Sequence, residues 1–181
     1  IRLEYLDCGG GLGIDYQGAA PGLADWVRVI GPVIGAAGYG LVVEPGRSIV
    51  GRAGALLTRV VYTKQQGDKR FVIADAGMTD LIRPTLYQAH HPIVPVAPAA
   101  GEEVVDVVGP ICETSDFLAR DRALPPLAAG DLLAVLHAGA YGFAMSSNYN
   151  GHLRPAEVLV EGDAFRVIRR RQTYADLIAG T

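Results

Sequence analysis

The sequence predicts an α/β segment over residues 1–54 followed by an antiparallel β-domain over residues 55–181. Three observations carry this expectation. A short strand runs through a glycine-rich loop into a helical stretch and a second strand. The apolar period then drops to two residues near Leu56, and proline- or glycine-rich connections separate the strand-like runs that follow. Taken in order, Leu3 to Asp7 is the first strand. The helix begins within Pro21 to Ala24, carries Trp26, Val27 and Ile30 at helical spacing, and ends in the glycines of Gly35 to Gly40. Leu41 to Val43 is a continuous apolar run, as in a buried parallel strand, and it stops at Glu44-Pro45-Gly46-Arg47. Alternation from Leu56 to Thr63 marks a strand, Gln66-Gly67-Asp68 a turn, and Lys69 to Asp75 the returning arm of a hairpin whose lysines, Lys64 and Lys69, are expected in solvent. Further strands are expected at His91 to Val96, Glu103 to Val108, Leu132 to His137, Glu157 to Val160 and Ala164 to Arg169. A short helix from Thr173 to Ala179 closes the chain.

Composition narrows the function classes. Half of the 181 residues are apolar, 19% are charged, and the formal charge is 16 − 19 = −3, which argues against disorder and against a basic nucleic-acid footprint. The uncharged, apolar stretch Val29 to Val43 contains Pro32 and four glycines and is too short and broken to cross a bilayer. Cys8 and Cys112 form no metal-spacing pattern, so neither a zinc site nor a disulfide framework is expected, and the setting is expected to be cytoplasmic. Lys64 and Lys69 are the only lysines. The sequence opens on Ile1 rather than methionine, so the natural start is expected upstream, and Arg2 and Glu4 interrupt any signal-peptide core.

Five clusters hold residues able to do chemistry. In Leu6-Asp7-Cys8-Gly9-Gly10-Gly11-Leu12-Gly13, glycines let backbone N–H groups approach a phosphate, although an ordinary strand-to-loop turn looks the same. The dinucleotide fingerprint is not met, because Asp15 comes too soon to be its acidic partner. Glu44 and Arg47 flank a Pro-Gly turn at a strand's carboxyl end, either as a salt-bridged corner or as two groups pointing into a site. Arg83 and Tyr87, four residues apart, could share a helical face as a carboxylate receptor or lie as a surface pair, with Pro84 favouring a bend. Cys112 beside Glu113 suits a proton donor better than a nucleophile, since a neighbouring carboxylate disfavours a thiolate; a plain buried cysteine is the alternative. Tyr141, between small residues, could reach a ligand or pack in the core. His90 and His91 lack spaced partners and read as non-metal, and Arg169-Arg170-Arg171 reads as a solvated strand end.

In order, LDCGGGLGIDY, VVEPGRSIVGRAG, DAGMTDLIRPTLYQAHHPI, VVGPICETSDFLA and GAYGFAMSSNYN resemble the diaminopimelate decarboxylases, pyridoxal-phosphate enzymes of the fold type III, alanine-racemase-like group. The resemblance runs from Leu6 to Tyr149. EPGR is shared with related decarboxylases, whereas LIRPTLY and CETSD are more specific; in the ornithine and arginine relatives the cysteine segment continues Cys-Asp-Gly. The resemblance implies the last strands of a (β/α)8 TIM barrel, followed by an antiparallel, Greek-key-like β-barrel or sandwich. It implies decarboxylation of meso-2,6-diaminopimelate to L-lysine and CO2 with pyridoxal 5'-phosphate. Gly11, Glu44, Gly46, Arg47 and Tyr141 would hold the cofactor, with Glu44 near the pyridine nitrogen. Arg47, Arg83, Tyr87, Glu113 and Tyr141 would bind the substrate, Glu113 recognising its distal amino group. Cys112 would reprotonate the carbanion from the neighbouring subunit of a homodimer.

The sequence departs from this family in one respect. The Schiff-base lysine and the later ring-stacking histidine have no counterpart, and Lys64 and Lys69 follow EPGR, the wrong place for that role. The chain is therefore expected to be a carboxyl-terminal portion, inactive alone and prone to aggregate through its open edges. Two alternatives share the fold: a related decarboxylase for another amino acid, and a non-catalytic regulatory homologue, against which the retained Cys112, Glu113, Arg47 and Tyr141 argue.

Overall fold

The computed structural model describes residues 3–18 and 20–180. Strand β1 (Tyr5–Asp7) and strand β2 (Gly40–Val42) pair in parallel, Tyr5 opposite Gly40, and helix α1 (Leu23–Ala37) is the crossover between them. Asp25 starts the helix by accepting from the Gly22 N–H at 3.1 Å and pairing with Arg28 at 2.8 Å; Gly38, at φ 73°, stops it. The β-α-β order matches the sequence expectation, but burial of the second strand does not. Leu41, Val42 and Val43 are each about 40% exposed, as are Val27, Val29 and Val33 on the helix to a greater degree. Each strand of this two-stranded sheet has one neighbour, and among the described residues nothing covers the faces that a parallel strand ordinarily buries.

After helix α2 (Gly46–Val50) and a single 3-10 turn (Gly51–Ala53), strand β3 (Leu56–Gln66) begins a six-stranded sheet. Its other strands are β4 (Lys69–Ala74), β5 (Ile93–Pro95), β6 (Glu103–Val108), β7 (Phe117–Leu124) and β8 (Leu132–Val135), in the spatial order β5-β8-β3-β4-β6-β7. Strand β3 serves two neighbours, pairing with β8 over Leu56 to Arg59 and with β4 over Val60 to Gln66. The sheet is mostly antiparallel. One pair corrects the wholly antiparallel expectation: β4 and β6 run parallel, Arg70 opposite Val105, because the chain first crosses to the far edge to lay β5 on β8 before returning. Strand β7, absent from the sequence reading, contains the run Arg120-Asp121-Arg122 and a left-handed Asp121 (φ 47°) whose N–H donates to Asp106 at 2.7 Å. That local bulge breaks the two-residue alternation by which strands are read.

The core lies on one face of this sheet. Val60, Val72, Ala74, Ile93, Val105, Val107, Leu118, Leu133 and Val135 point inward from the strands, and Leu81 joins them from the connection between β4 and β5. Lys69 is exposed, as expected, and its Nζ is 3.1 Å from both Asp106 and Asp121, which ties β4 to β6 and β7. Strands β9 (Glu157–Glu161) and β10 (Ala164–Arg169) form a separate hairpin, and helix α4 (Tyr174–Leu177) follows, capped by Thr173, whose Oγ accepts from the Asp176 N–H at 3.2 Å. The arginine run is engaged at two of its three positions, with Arg169 on Glu157 at 2.6 Å and Arg170 on Asp176 at 2.5 Å. Among the described residues no helix is long and apolar enough to cross a membrane.

Candidate functional site

A cavity of about 780 Å³ lies where the glycine loop, the EPGR turn, helix α3 (Arg83–Tyr87) and the Tyr141 turn meet. That is within the size range of small-molecule sites. The loop and the turn are stitched edge to edge: the Cys8 N–H donates to Val42 O at 3.0 Å and the Glu44 N–H to Gly9 O at 2.8 Å. Glycine is required in this seam, since a Cβ on Gly10 would sit 2.8 Å from Glu44 O, and Gly11 has φ +89°. The Tyr141 turn is fastened to the segment after EPGR by Ala138 N–H to Gly54 O (2.8 Å) and Gly139 N–H to Gly51 O (3.1 Å).

Gly11, Glu44, Gly46, Arg47, Arg83, Tyr87 and Tyr141 all line this cavity, so seven residues singled out from the sequence converge. Glu44 and Arg47 do not form the salt-bridged corner that was one reading of EPGR: among the described residues neither takes part in an ion pair. The surface-pair reading of Arg83 and Tyr87 also gives way. Pro84, near the start of α3, holds the first turn, Gln88 ends it in a left-handed conformation, and Arg83 is only 5% exposed while Tyr87 faces outward. Tyr141 is not a core aromatic; it is half exposed, with φ +62°, and its ring centroid is 5.7 Å from the Arg83 guanidinium.

Two residues that touch Arg83 have no role assigned from the sequence: Tyr16, which lines the cavity, and His91, which the sequence marks only as non-metal. Arg83 NH1 donates to the Tyr16 hydroxyl at 2.8 Å and contacts His91 Nε2 at 3.1 Å, while the buried Nε of Arg83 has no partner among the described residues. His91 is completely buried and its Nδ1 lies 2.9 Å from Leu136 O, so Nδ1 carries the hydrogen and Nε2 accepts from Arg83. Burial, with the Arg83 cation adding to it, holds the His91 imidazole below the ordinary histidine range, in keeping with this neutral form. No spacing rule links Tyr16, Arg83 and His91 in the sequence. Only the fold brings the glycine loop over α3.

This arrangement sets a sign for pH dependence. An unfolded His91 takes a proton at higher pH than the folded one, so its share of stability is present above about pH 6.5 and is lost as pH falls below that value. Asp80, held up by burial, acts in the opposite sense. The full-length protein is expected to melt at a lower temperature at about pH 5.5 than at about pH 7.5, with a smaller drop in His91→Gln. An equal drop in both proteins excludes His91 as the source.

Cys112 and Glu113 lie apart from the cavity lining, exposed on the loop between β6 and β7. Cys112 is thus not the buried cysteine that was its alternative reading. Buried Asp116 pins that loop, with Oδ1 accepting from the Met78 N–H and Oδ2 from the Ile111 N–H, both at 2.6 Å. Thr85 of α3 reaches across to Ser115 O at 2.6 Å. Asn150 Nδ2 lies 3.2 Å from Cys112 Sγ, and the Tyr149 hydroxyl donates to Glu113. Both lysines lie on the β3–β4 hairpin and neither lines the cavity.

Residues 16–139 match the family model described as pyridoxal-dependent decarboxylase, C-terminal sheet domain. The chain is 55% identical to the diaminopimelate decarboxylase of Pseudomonas aeruginosa over 99% of its own length and 44% of that protein. Among solved structures it is similar to diaminopimelate decarboxylase from M. jannaschii (TM-score 0.93, 40% identity, 99% of this chain and 43% of that one). It is similar too to the Helicobacter pylori enzyme complexed with L-lysine (TM-score 0.90, 43% identity, 98% and 44%). The chain therefore spans less than half the length of these relatives.

Proposed function

Because this chain belongs to the pyridoxal-dependent decarboxylases and carries their C-terminal sheet domain, we propose that it is the C-terminal part of an enzyme that converts meso-diaminopimelate to L-lysine and CO2. The β1–α1–β2 unit is then the end of the TIM barrel and the six-stranded sheet the domain that follows it. One observation carries the reading. A single cavity gathers a glycine cradle, a carboxylate and a guanidinium outside any described ion pair, and a buried arginine with an orphaned Nε. Buried N–H groups have partners in native proteins, and a carboxylate is the natural one for a guanidinium edge.

The donor set fits pyridoxal 5'-phosphate. Gly11 and the Glu44-Pro45-Gly46-Arg47 turn would hold its phosphate and ring, Glu44 would hold the proton at the pyridine nitrogen, and Tyr141 would lie against cofactor and substrate. When bound, the cofactor supplies an electron sink for the pair left as CO2 departs. The chain's own residues do the rest. Arg47, Arg83 and Tyr87 bind the distal, non-reacting end of the substrate and so orient the reacting centre. Cys112 and Glu113, outside the cavity and exposed, serve the neighbouring subunit of a homodimer: Glu113 accepts from the distal ammonium, and Cys112 delivers the proton from Sγ to the carbon that lost CO2. The lysine that holds the cofactor covalently belongs to the remainder of the protein, so residues 1–181 alone are expected to release no CO2.

The test is CO2 release from meso-diaminopimelate by the full-length protein with pyridoxal phosphate. Arg83→Leu is expected to raise KM about 10- to 100-fold, since hydrogen bonds to charged groups contribute about 1.5–3 kcal/mol. An unchanged KM, or turnover of a diamine precursor lacking the distal carboxylate at an equal rate, would remove the basis for this substrate.

A further inference from the structure

A guanidinium can offer a carboxylate any of several edges, and what decides among them is which hydrogens are already taken. In Arg83 the decision is visible. Among the described residues both of its hydrogen bonds leave from NH1, one to the Tyr16 hydroxyl at 2.8 Å and one to His91 Nε2 at 3.1 Å, so both NH1 hydrogens are used inside the protein. The Nε hydrogen is buried and has no partner among them. The group cannot rotate about its own axis without breaking these bonds, and the Tyr16 and Tyr141 rings, each 5.7 Å away, bound its plane.

We propose that His91 and Tyr16 are positioning residues for Arg83: by occupying NH1 they hold the guanidinium so that NH2, which among the described residues is neither bonded nor buried, meets the substrate's distal carboxylate. This rests on the decarboxylase reading above. The device is built into the core rather than the cavity surface. His91 is fully buried, its Nδ1 hydrogen is fixed on Leu136 O at the end of β8, and Arg122 of β7 donates to the His91 carbonyl at 2.8 Å. The sheet therefore sets the imidazole, the imidazole sets NH1, and NH1 sets where NH2 points. Tyr16, in edge-to-face contact with both His91 and His137 at 5.2 and 5.8 Å, brings the glycine loop into the same constraint. The arrangement also explains why a buried cation tolerates a histidine neighbour: with Nδ1 committed to a carbonyl, Nε2 is an acceptor and not a second positive charge.

The test uses the full-length holoenzyme and L-lysine, which retains the distal carboxylate, as the probe in calorimetric titration, alongside steady-state kinetics. His91→Leu is expected to raise the L-lysine Kd and the substrate KM about tenfold with kcat within about twofold, since it strands one charged donor. His91→Gln, which returns an acceptor at the Nε2 position, should come back to within about threefold of wild type, and Tyr16→Phe should weaken binding about threefold. In an Arg83→Leu background, His91→Leu and Tyr16→Phe should each add less than about twofold, because they act through the arginine. Losses that multiply in that background, or equal losses in His91→Leu and His91→Gln, overturn the proposal. If His91→Leu fails to fold, the single and double variants of Tyr16→Phe decide the matter on the same criteria. If Arg83→Leu itself binds L-lysine as tightly as wild type, the carboxylate reading of the cavity fails instead, and the two failures are told apart.

Discussion

Cys112→Ala in the full-length enzyme is expected to lower kcat about 10²- to 10⁴-fold while leaving KM for meso-diaminopimelate within a few-fold, the range for loss of a positioned general acid. The reasoning starts from where the thiol is. It is exposed on a loop outside the cavity that gathers Glu44, Arg47, Arg83 and Tyr141, and among the described residues it does not line that site. Yet the loop is firmly held, clamped by the buried Asp116 carboxylate on two backbone N–H groups and tied to α3 through Thr85. A rigid, exposed thiol is what a neighbouring subunit's site requires. At substrate well below the raised KM of Arg83→Leu, where Cys112→Ala and Arg83→Leu proteins are each nearly inactive, mixing the two should therefore restore activity, up to about a quarter of wild type for random pairing of subunits. Complete absence of complementation, with mixed dimers demonstrated by mass, would place the proton donor elsewhere.

Gly139→Ala is the second large effect, and it is expected to cost about 3–5 kcal/mol of stability, measured as the denaturant midpoint of the full-length protein. A Cβ at this position would lie 2.0 Å from Val50 O and 2.8 Å from Gly54 N, both backbone atoms of the segment that follows EPGR. Relief requires the two backbones to part, and that breaks the Ala138–Gly54 and Gly139–Gly51 hydrogen bonds that fasten the Tyr141 turn to the segment after EPGR. Cofactor affinity should fall along with stability, because Tyr141 moves with its turn. A shift below about 1 kcal/mol would mean that the two segments have slack the close approach does not show.

The sequence made most elements legible where the signal was local. β6 and β10 have the expected bounds, the hairpin turn at Gly67 is where Gln-Gly-Asp placed it, and the EPGR turn ends a parallel strand. Partner choice was not legible. Nothing within residues 69–108 says that β5 will travel to β8 and leave β4 to pair in parallel with β6, since that depends on which apolar faces meet in the finished core. β7 was lost to one left-handed residue, Asp121. In the site, residues that announce themselves by motif were found together in space, whereas Tyr16 and His91 were not singled out. Their significance is a hydrogen-bond geometry across 67 and 8 residues of separation from Arg83, which no motif encodes.

The long strand β3 has a consequence for synthesis. One end of it is paired by β8: Leu56 meets Val135, made 79 positions later, and Arg59 meets Leu132, made 73 positions later. At ordinary elongation rates of about 5–20 residues per second, that end of β3 waits roughly 4–16 s with its backbone groups unpaired. During this interval Leu56 to Arg59 is an open template for any other strand edge until its partner strand emerges.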